Sequence, residues 1–250
     1  MTTYYGKRGD LNLQALWKES VRGKEWEKMN VSKELAHIQS KIEIDDRVPT
    51  NNCIFRLWSI LDVSAIKVVL VGQDPYPELI DVDEIKVPRA CGFAFSSPLG
   101  KLPQSLKVIF REMKVENPTK KSGDLSYLLG EGVFLMNAYL TIKIVDGKGV
   151  PGTHTSWSCF TKKVIEFIKQ KNPGVVWLAV GEDAKYMMET CSIIDYISAA
   201  HPAARFAKSN GFVGSKVFIL VNEKLKSKEE EPIPWMPMDD KDVVDTQYYL

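Results

Sequence analysis

Four short apolar runs, spaced by long stretches of helical pattern, constrain this chain more than any other feature. The runs are 66–71, 132–137, 175–180 and 193–199. Each is apolar or β-branched and is bounded by turn residues, as strands buried on both faces are. Helical patterns cover 103–113, 156–171 and 182–190, and another at 215–226 follows the last run. Strand and helix in alternation predict an α/β fold: a central four-stranded parallel sheet with helices on both faces.

The flanks differ in character. Residues 1–50 are charged and rich in helix formers, and Trp17 and Trp26 there, with Trp58 just beyond, predict packed helices rather than a loose tail. They read as a helical extension packed on a main domain of 51–235. The last stretch, 236–250, is acidic and reads as a flexible tail. Hydrophobic residues make up 44% of the 250, enough for a sizeable core. The net charge is +1, so any nucleic-acid footprint has to come from local clusters of Lys and Arg. Cys53, Cys91, Cys159 and Cys191 are scattered without a CxxC, which argues against a zinc site or a disulfide framework and for a reducing, intracellular setting. No apolar run approaches the length of a membrane span, so a membrane partner is not expected.

Open parallel sheets bind ligands at the carboxyl ends of their strands. The first run leads into Gln73, Asp74 and Tyr76, the second ends at Asn137, and the fourth leads to His201. Taken singly, an Asp before Pro is a turn residue, an Asn at a strand end a cap, and a His before Pro a structural residue. Jointly they would bring a carboxylate, an amide and an imidazole to one rim. That arrangement points to a site without fixing a reaction.

The residues themselves match a known family. VVLVGQDPYP at 68–77 resembles the first signature of the family-one uracil-DNA glycosylases, and HPAAR followed by SNGFVGSKVF resembles their histidine loop. GFAFSSP, LPQSLKVIF, GDLSYLLGEGVFLMNAYLT and THTSW fall between them in the family's order, so the likeness runs from about residue 50 to 235. The resemblance implies base-excision repair: uracil is flipped out of DNA and its N-glycosidic bond is hydrolysed, with no metal or other cofactor. It assigns Asp74 to orienting water and stabilising a cationic sugar, and His201 to a hydrogen bond on uracil O2. It assigns Asn137 to reading the base edge, Phe95 to stacking, Tyr76 to blocking a thymine methyl, and Gln73 to holding the base. Ser105 is implied to contact a DNA phosphate, and His154 to support the site or to face DNA.

The chain also departs from the family pattern. Pro77 replaces a histidine, 78–89 replaces a Gly-rich loop, and Cys91 stands where a histidine is common. Ala203 and Glu182 stand where phosphate-binding serines are expected, Phe206 stands at another serine, and Arg205 stands where the family has a leucine wedge. Lys185, Arg205, Lys208 and Lys216 are candidates to restore the lost phosphate contacts. DPYP and HPAAR are also similar to poxviral members, some of which serve in replication complexes. The expected partner is therefore uracil-containing DNA, single- or double-stranded, with a replication protein as a further candidate and the chain acting as a monomer. The expected setting is nucleus, cytoplasm or a viral replication site. A DNA-binding replication partner with catalysis lost, and a glycosylase for another damaged base, stand as alternatives. The first conflicts with the intact Asp74, Asn137 and His201, the second with Tyr76 and Asn137.

Overall fold

The computed structural model describes residues 5–82, 84–116, 122–204 and 211–236, together with the backbone of 2–3. Its centre is a four-stranded, all-parallel sheet, ordered Tyr196–Ala199, Val176–Val180, Val68–Gly72, Val133–Asn137. The register pairs Val68 with both Val133 and Val176, and Gly72 with Asn137. Every residue of the inner strands Val68–Gly72 and Val176–Val180 is buried, as is every residue of the outer strand Val133–Asn137. This is why these segments read as apolar runs: helices cover both faces, so a polar residue enters only at a strand end, as Asn137 does.

The helices Gln104–Glu112, Ser158–Lys171, Glu182–Thr190 and Val217–Lys226 occupy the expected stretches. The fourth strand starts later than its apolar run predicts. The helix before it is closed by Ser192 at φ 53° and by Ile193 N–H donating to the Met188 carbonyl. Ile194 then projects outward, 95% exposed. Residues 191–195 therefore form a helix exit, and the strand begins at Tyr196.

Two small sheets were not legible in the sequence. The segment 78–89 forms a hairpin of Leu79–Val82 and Ile85–Pro88, and Thr2–Thr3 pairs in parallel with its second strand. The two-residue strand Arg47–Val48 pairs with Ile142–Val145, which pairs in turn with Lys148–Val150.

The helices Leu13–Ser20 and Ser32–Ile42 share one core cluster with the sheet. Trp17 lies edge-on to Phe55 and Phe160, each at 5.3 Å, and Trp26 stacks on Phe134 of the second strand at 5.5 Å. At the other end Trp235 packs on Phe218 at 4.8 Å, and Asn222 bonds both the N–H and the C=O of Ile233. Of the stretch expected to be a flexible tail, 236–250, all but Met236 lies outside the described residues. All four cysteines are free, and among the described residues no helix is long and apolar enough to cross a membrane.

Candidate active site

The strand ends converge as the order of the sheet requires. Gln73, Asp74, Tyr76, Phe95, Ser105, Asn137 and His201 all line one cavity of about 300 Å³. Gly72, one residue before Gln73, lies directly behind two of the lining groups. A Cβ on Gly72 would lie 2.8 Å from Asn137 Oδ1 and 3.0 Å from Phe95 Cε2, so only glycine lets the amide and the ring close onto the strand. Gly72→Ala is therefore expected to displace both groups and to raise KM for substrate about tenfold or more, a misplacement cost of the usual size. Steady-state kinetics checks this, and an unchanged KM would mean that the pocket has slack there.

Phe95 is held in a strained left-handed conformation, φ 61°. Its carbonyl accepts the Tyr76 hydroxyl proton at 3.1 Å. Tyr76 Oη lies 2.9 Å from Ser105 Oγ. With its own proton committed to Phe95, Tyr76 must accept from Ser105. Ser105 is thus occupied in fixing Tyr76, and its hydroxyl has no second proton for a phosphate. Any anion contact there falls to backbone N–H groups at the helix start.

Asp74 Oδ2 accepts the Gly152 N–H at 2.9 Å, while Oδ1 is buried with no protein partner among the described residues. Burial raises its pKa to about 6, the nearby Asp183 adds to the rise, and the Gly152 hydrogen bond opposes it. At neutral pH Asp74 is ionised. Burial lowers the pKa of His201, against an opposing pull from Asp183. His201 Nδ1 accepts the Ala203 N–H at 3.2 Å. That bond places the single proton of the neutral ring on Nε2, which is then a donor. The ring is 5.8 Å from that of Phe95. The cavity therefore holds an anionic carboxylate, a neutral imidazole donor and a two-faced amide.

The other expected residues are placed differently. His154 does not line the cavity, and its burial fits the supporting role implied for it rather than the DNA-facing one. It is 3% exposed, with Nδ1 at 2.7 Å from Thr141 Oγ1 and Nε2 at 3.4 Å from Asp45. Lys185 pairs with Glu182 at 2.7 Å, which offsets part of the charge it could offer a phosphate. Lys216 is held by its backbone, with its N–H donating to Glu112. Arg205 and Lys208 lie outside the described residues.

Asp183 also neighbours the site, although no signature in the sequence singles it out. It sits in the first turn of Glu182–Thr190, directly after the third strand, and accepts the Tyr139 hydroxyl proton at 2.8 Å. Its field reaches both Asp74 and His201. The sequence carries a weaker signal for it: the third strand, like the others, runs into polar residues, Gly181, Glu182 and Asp183.

Known proteins resemble this arrangement. The family model for the uracil DNA glycosylase superfamily matches residues 59–226. The uracil-DNA glycosylase of Acinetobacter baylyi is 31% identical over 242 residues, covering 92% of this chain and 95% of that protein. That of Helicobacter hepaticus is 33% identical over 199 residues, covering 75% and 80%. The crystal structure of mimivirus uracil-DNA glycosylase matches the fold with a TM-score of 0.71 at 24% identity, covering 93% of this chain and 95% of that one. A mimivirus UNG variant in complex with UGI matches with a TM-score of 0.68 at 25% identity, covering 90% and 91%. A match of this extent, on a parallel sheet whose ends carry an aspartate, an asparagine and a histidine around one cavity, makes the chain a member of the uracil-DNA glycosylase superfamily.

Proposed function

We propose that the protein flips uracil out of DNA into this cavity and hydrolyses its N-glycosidic bond, leaving free uracil and an abasic site for base-excision repair. The observation that carries the reading is the placement of Asp74, Asn137 and His201 around one cavity in a member of this superfamily. Within the superfamily we place the chain in family one on GQDPY and the histidine loop, with DPYP and HPAAR similar to poxviral members.

Uracil in a duplex is stacked and paired, so its nucleotide has to leave the helix. In the cavity the Phe95 ring stacks on the base and Gln73 helps hold it. Tyr76, fixed by Phe95 and Ser105, stands where a thymine methyl would need room. As the C1′–N1 bond breaks, its electron pair leaves on uracil and positive charge builds on the sugar. The Asp74 carboxylate stabilises that cation and orients water for addition at C1′. As the C1′–O bond forms the water gives up a proton to Asp74, and the departed uracil anion takes one up from solvent, so free uracil and a sugar hydroxyl result. His201 Nε2–H stabilises the negative charge on O2. Both groups are fixed before the reaction begins, which is electrostatic preorganisation.

The protonation states set the pH profile. With Asp74 near 6, the single-turnover rate is expected to fall as pH drops below about 6. Asp183→Asn removes the neighbouring charge that raises Asp74 and is expected to move this acid limb to lower pH. An unmoved limb in Asp183→Asn would detach Asp183 from the site.

Arg205 is assigned the wedge role, with its planar guanidinium filling the hole left by the flipped base. Arg205→Ala is expected to slow excision from duplex far more than from single strands, where less stacking is broken. Equal losses on both substrates would reduce Arg205 to a backbone contact. The function as a whole is tested on oligonucleotides holding one target base. Abasic product is expected from U:A, U:G and single-stranded uracil, and none from T:G. Product from T:G with none from uracil would overturn the reading.

A further inference from the structure

We infer that the N-terminal segment is a working part of the active site: Asp45 fixes His154, and His154 fixes the loop whose Gly152 N–H holds Asp74. The inference rests on the glycosylase reading above and assigns Asp45, Thr141 and His154 as positioning residues. Asp45 precedes the residues matched by the family model, which begin at 59.

The hydrogen bonds run in one direction. Trp157 Nε1–H donates to Thr141 Oγ1 at 2.7 Å. The Thr141 hydroxyl then has its own proton for His154 Nδ1, also at 2.7 Å. A neutral ring accepting at Nδ1 carries its proton on Nε2, which faces Asp45 Oδ2 at 3.4 Å. In this assignment both ring nitrogens of a buried histidine are satisfied without a buried cation. The charged groups around the ring are Asp45, Arg47 and Lys143; burial lowers the pKa of His154, consistent with the neutral form.

Asp45 is itself held firmly. Its carboxylate pairs with Lys143 at 2.7 Å, and its carbonyl accepts from the fully buried Arg47 guanidinium at 2.9 Å. Arg47 also pairs with Asp10 at 2.9 Å, which ties the anchor further into the N-terminal segment. Strand Arg47–Val48 pairs with Ile142–Val145, and Ile144 N–H donates to the Asp46 carbonyl. Two residues before His154, Gly152 adopts φ 71° and directs its N–H to Asp74 at 2.9 Å. That bond is the one that opposes the burial-driven rise in the pKa of Asp74. An anchor lost at Asp45 should therefore appear at Asp74, whose other acidic neighbours are Asp183 and Tyr139.

The test is single-turnover excision at saturating uracil-DNA across pH, on the full chain. Asp45→Ala is expected to lose about tenfold in rate, with DNA affinity nearly unchanged and the acid limb moved to higher pH as Asp74 loses its Gly152 bond. Asp45→Asn keeps an amide oxygen to accept Nε2–H and is expected to recover most of the rate. Thr141→Val breaks the other side of the ring and should give the same upward limb shift, which provides a second variant should Asp45→Ala not fold. A rate within twofold of wild type in a folded Asp45→Ala, or a rate loss with the acid limb unmoved in both variants, would overturn the inference. A wild-type chain that excises no uracil would overturn this inference together with the functional reading, and is distinguished from the other failures by the wild-type control.

Discussion

Asp74→Asn is expected to lose a hundredfold or more in single-turnover excision while binding uracil-DNA nearly as tightly as wild type. The amide keeps the shape of the carboxylate and removes only its charge. If stabilising the sugar cation is worth on the order of 3 kcal/mol, the rate falls by about that factor. The same variant is expected to melt at a higher temperature. The folded pKa of about 6 lies above the ordinary 3.8, so between those values the folded state holds a proton that the unfolded chain has lost. Stability then falls as pH rises through that window, and the ionised, part-buried carboxylate costs stability at neutral pH. Asparagine carries no such cost. A slower enzyme with a raised Tm would mark a group kept for chemistry at the expense of stability. A rate within twofold of wild type would remove Asp74 from the mechanism.

Asn137→Asp should redirect base choice. In the proposed function the amide of Asn137 is the group that accepts from uracil N3–H and donates to O4; it is buried, and Gly72 lets it sit close against the strand. Cytosine presents an acceptor at N3 and a donor at its exocyclic amine, the reverse pattern. Each mismatched pair leaves a buried polar group unsatisfied, which is why such sites discriminate by large factors. A carboxyl in this buried position favours its protonated form, with one donor and one acceptor in the order cytosine needs. Uracil excision is expected to fall about a hundredfold or more, and slow cytosine excision to appear. Competition between uracil and cytosine oligonucleotides measures both. Unchanged uracil excision with no cytosine product would place Asn137 outside the base contact.

The parts legible in the sequence were those that depend on local pattern. Strands buried on both faces cannot hide, because Val68–Gly72 and Val176–Val180 have no solvent side on which to place a polar residue. The convergence of Asp74, Asn137 and His201 followed from the strand ends once the sheet was parallel. What stayed hidden depends on contacts distant in the chain. Tyr139 meets Asp183 across 44 positions, and His154 meets Asp45 across 109. Neither pair leaves a periodic trace. Arg47–Val48 is too short to show an alternation, so its role as the strand that anchors Asp45 emerges only in the fold. Ile194 misled in the opposite direction: its apolar character read as burial, whereas the helix exit turns it to solvent. For Ser105 and His154 the chemistry of the side chain was apparent but its direction was not, since one is committed to Tyr76 and the other to Thr141 and Asp45.

Counting products tests the central claim most directly. An oligonucleotide with a single uracil is incubated with the protein, free uracil is quantified by chromatography, and abasic sites are quantified by an aldehyde-reactive label. Hydrolysis at the N-glycosidic bond alone predicts one free uracil for each abasic site, on a strand that stays intact until alkali is added. Absence of free uracil with the wild-type chain, or strand cleavage without alkali in step with uracil release, would contradict the account.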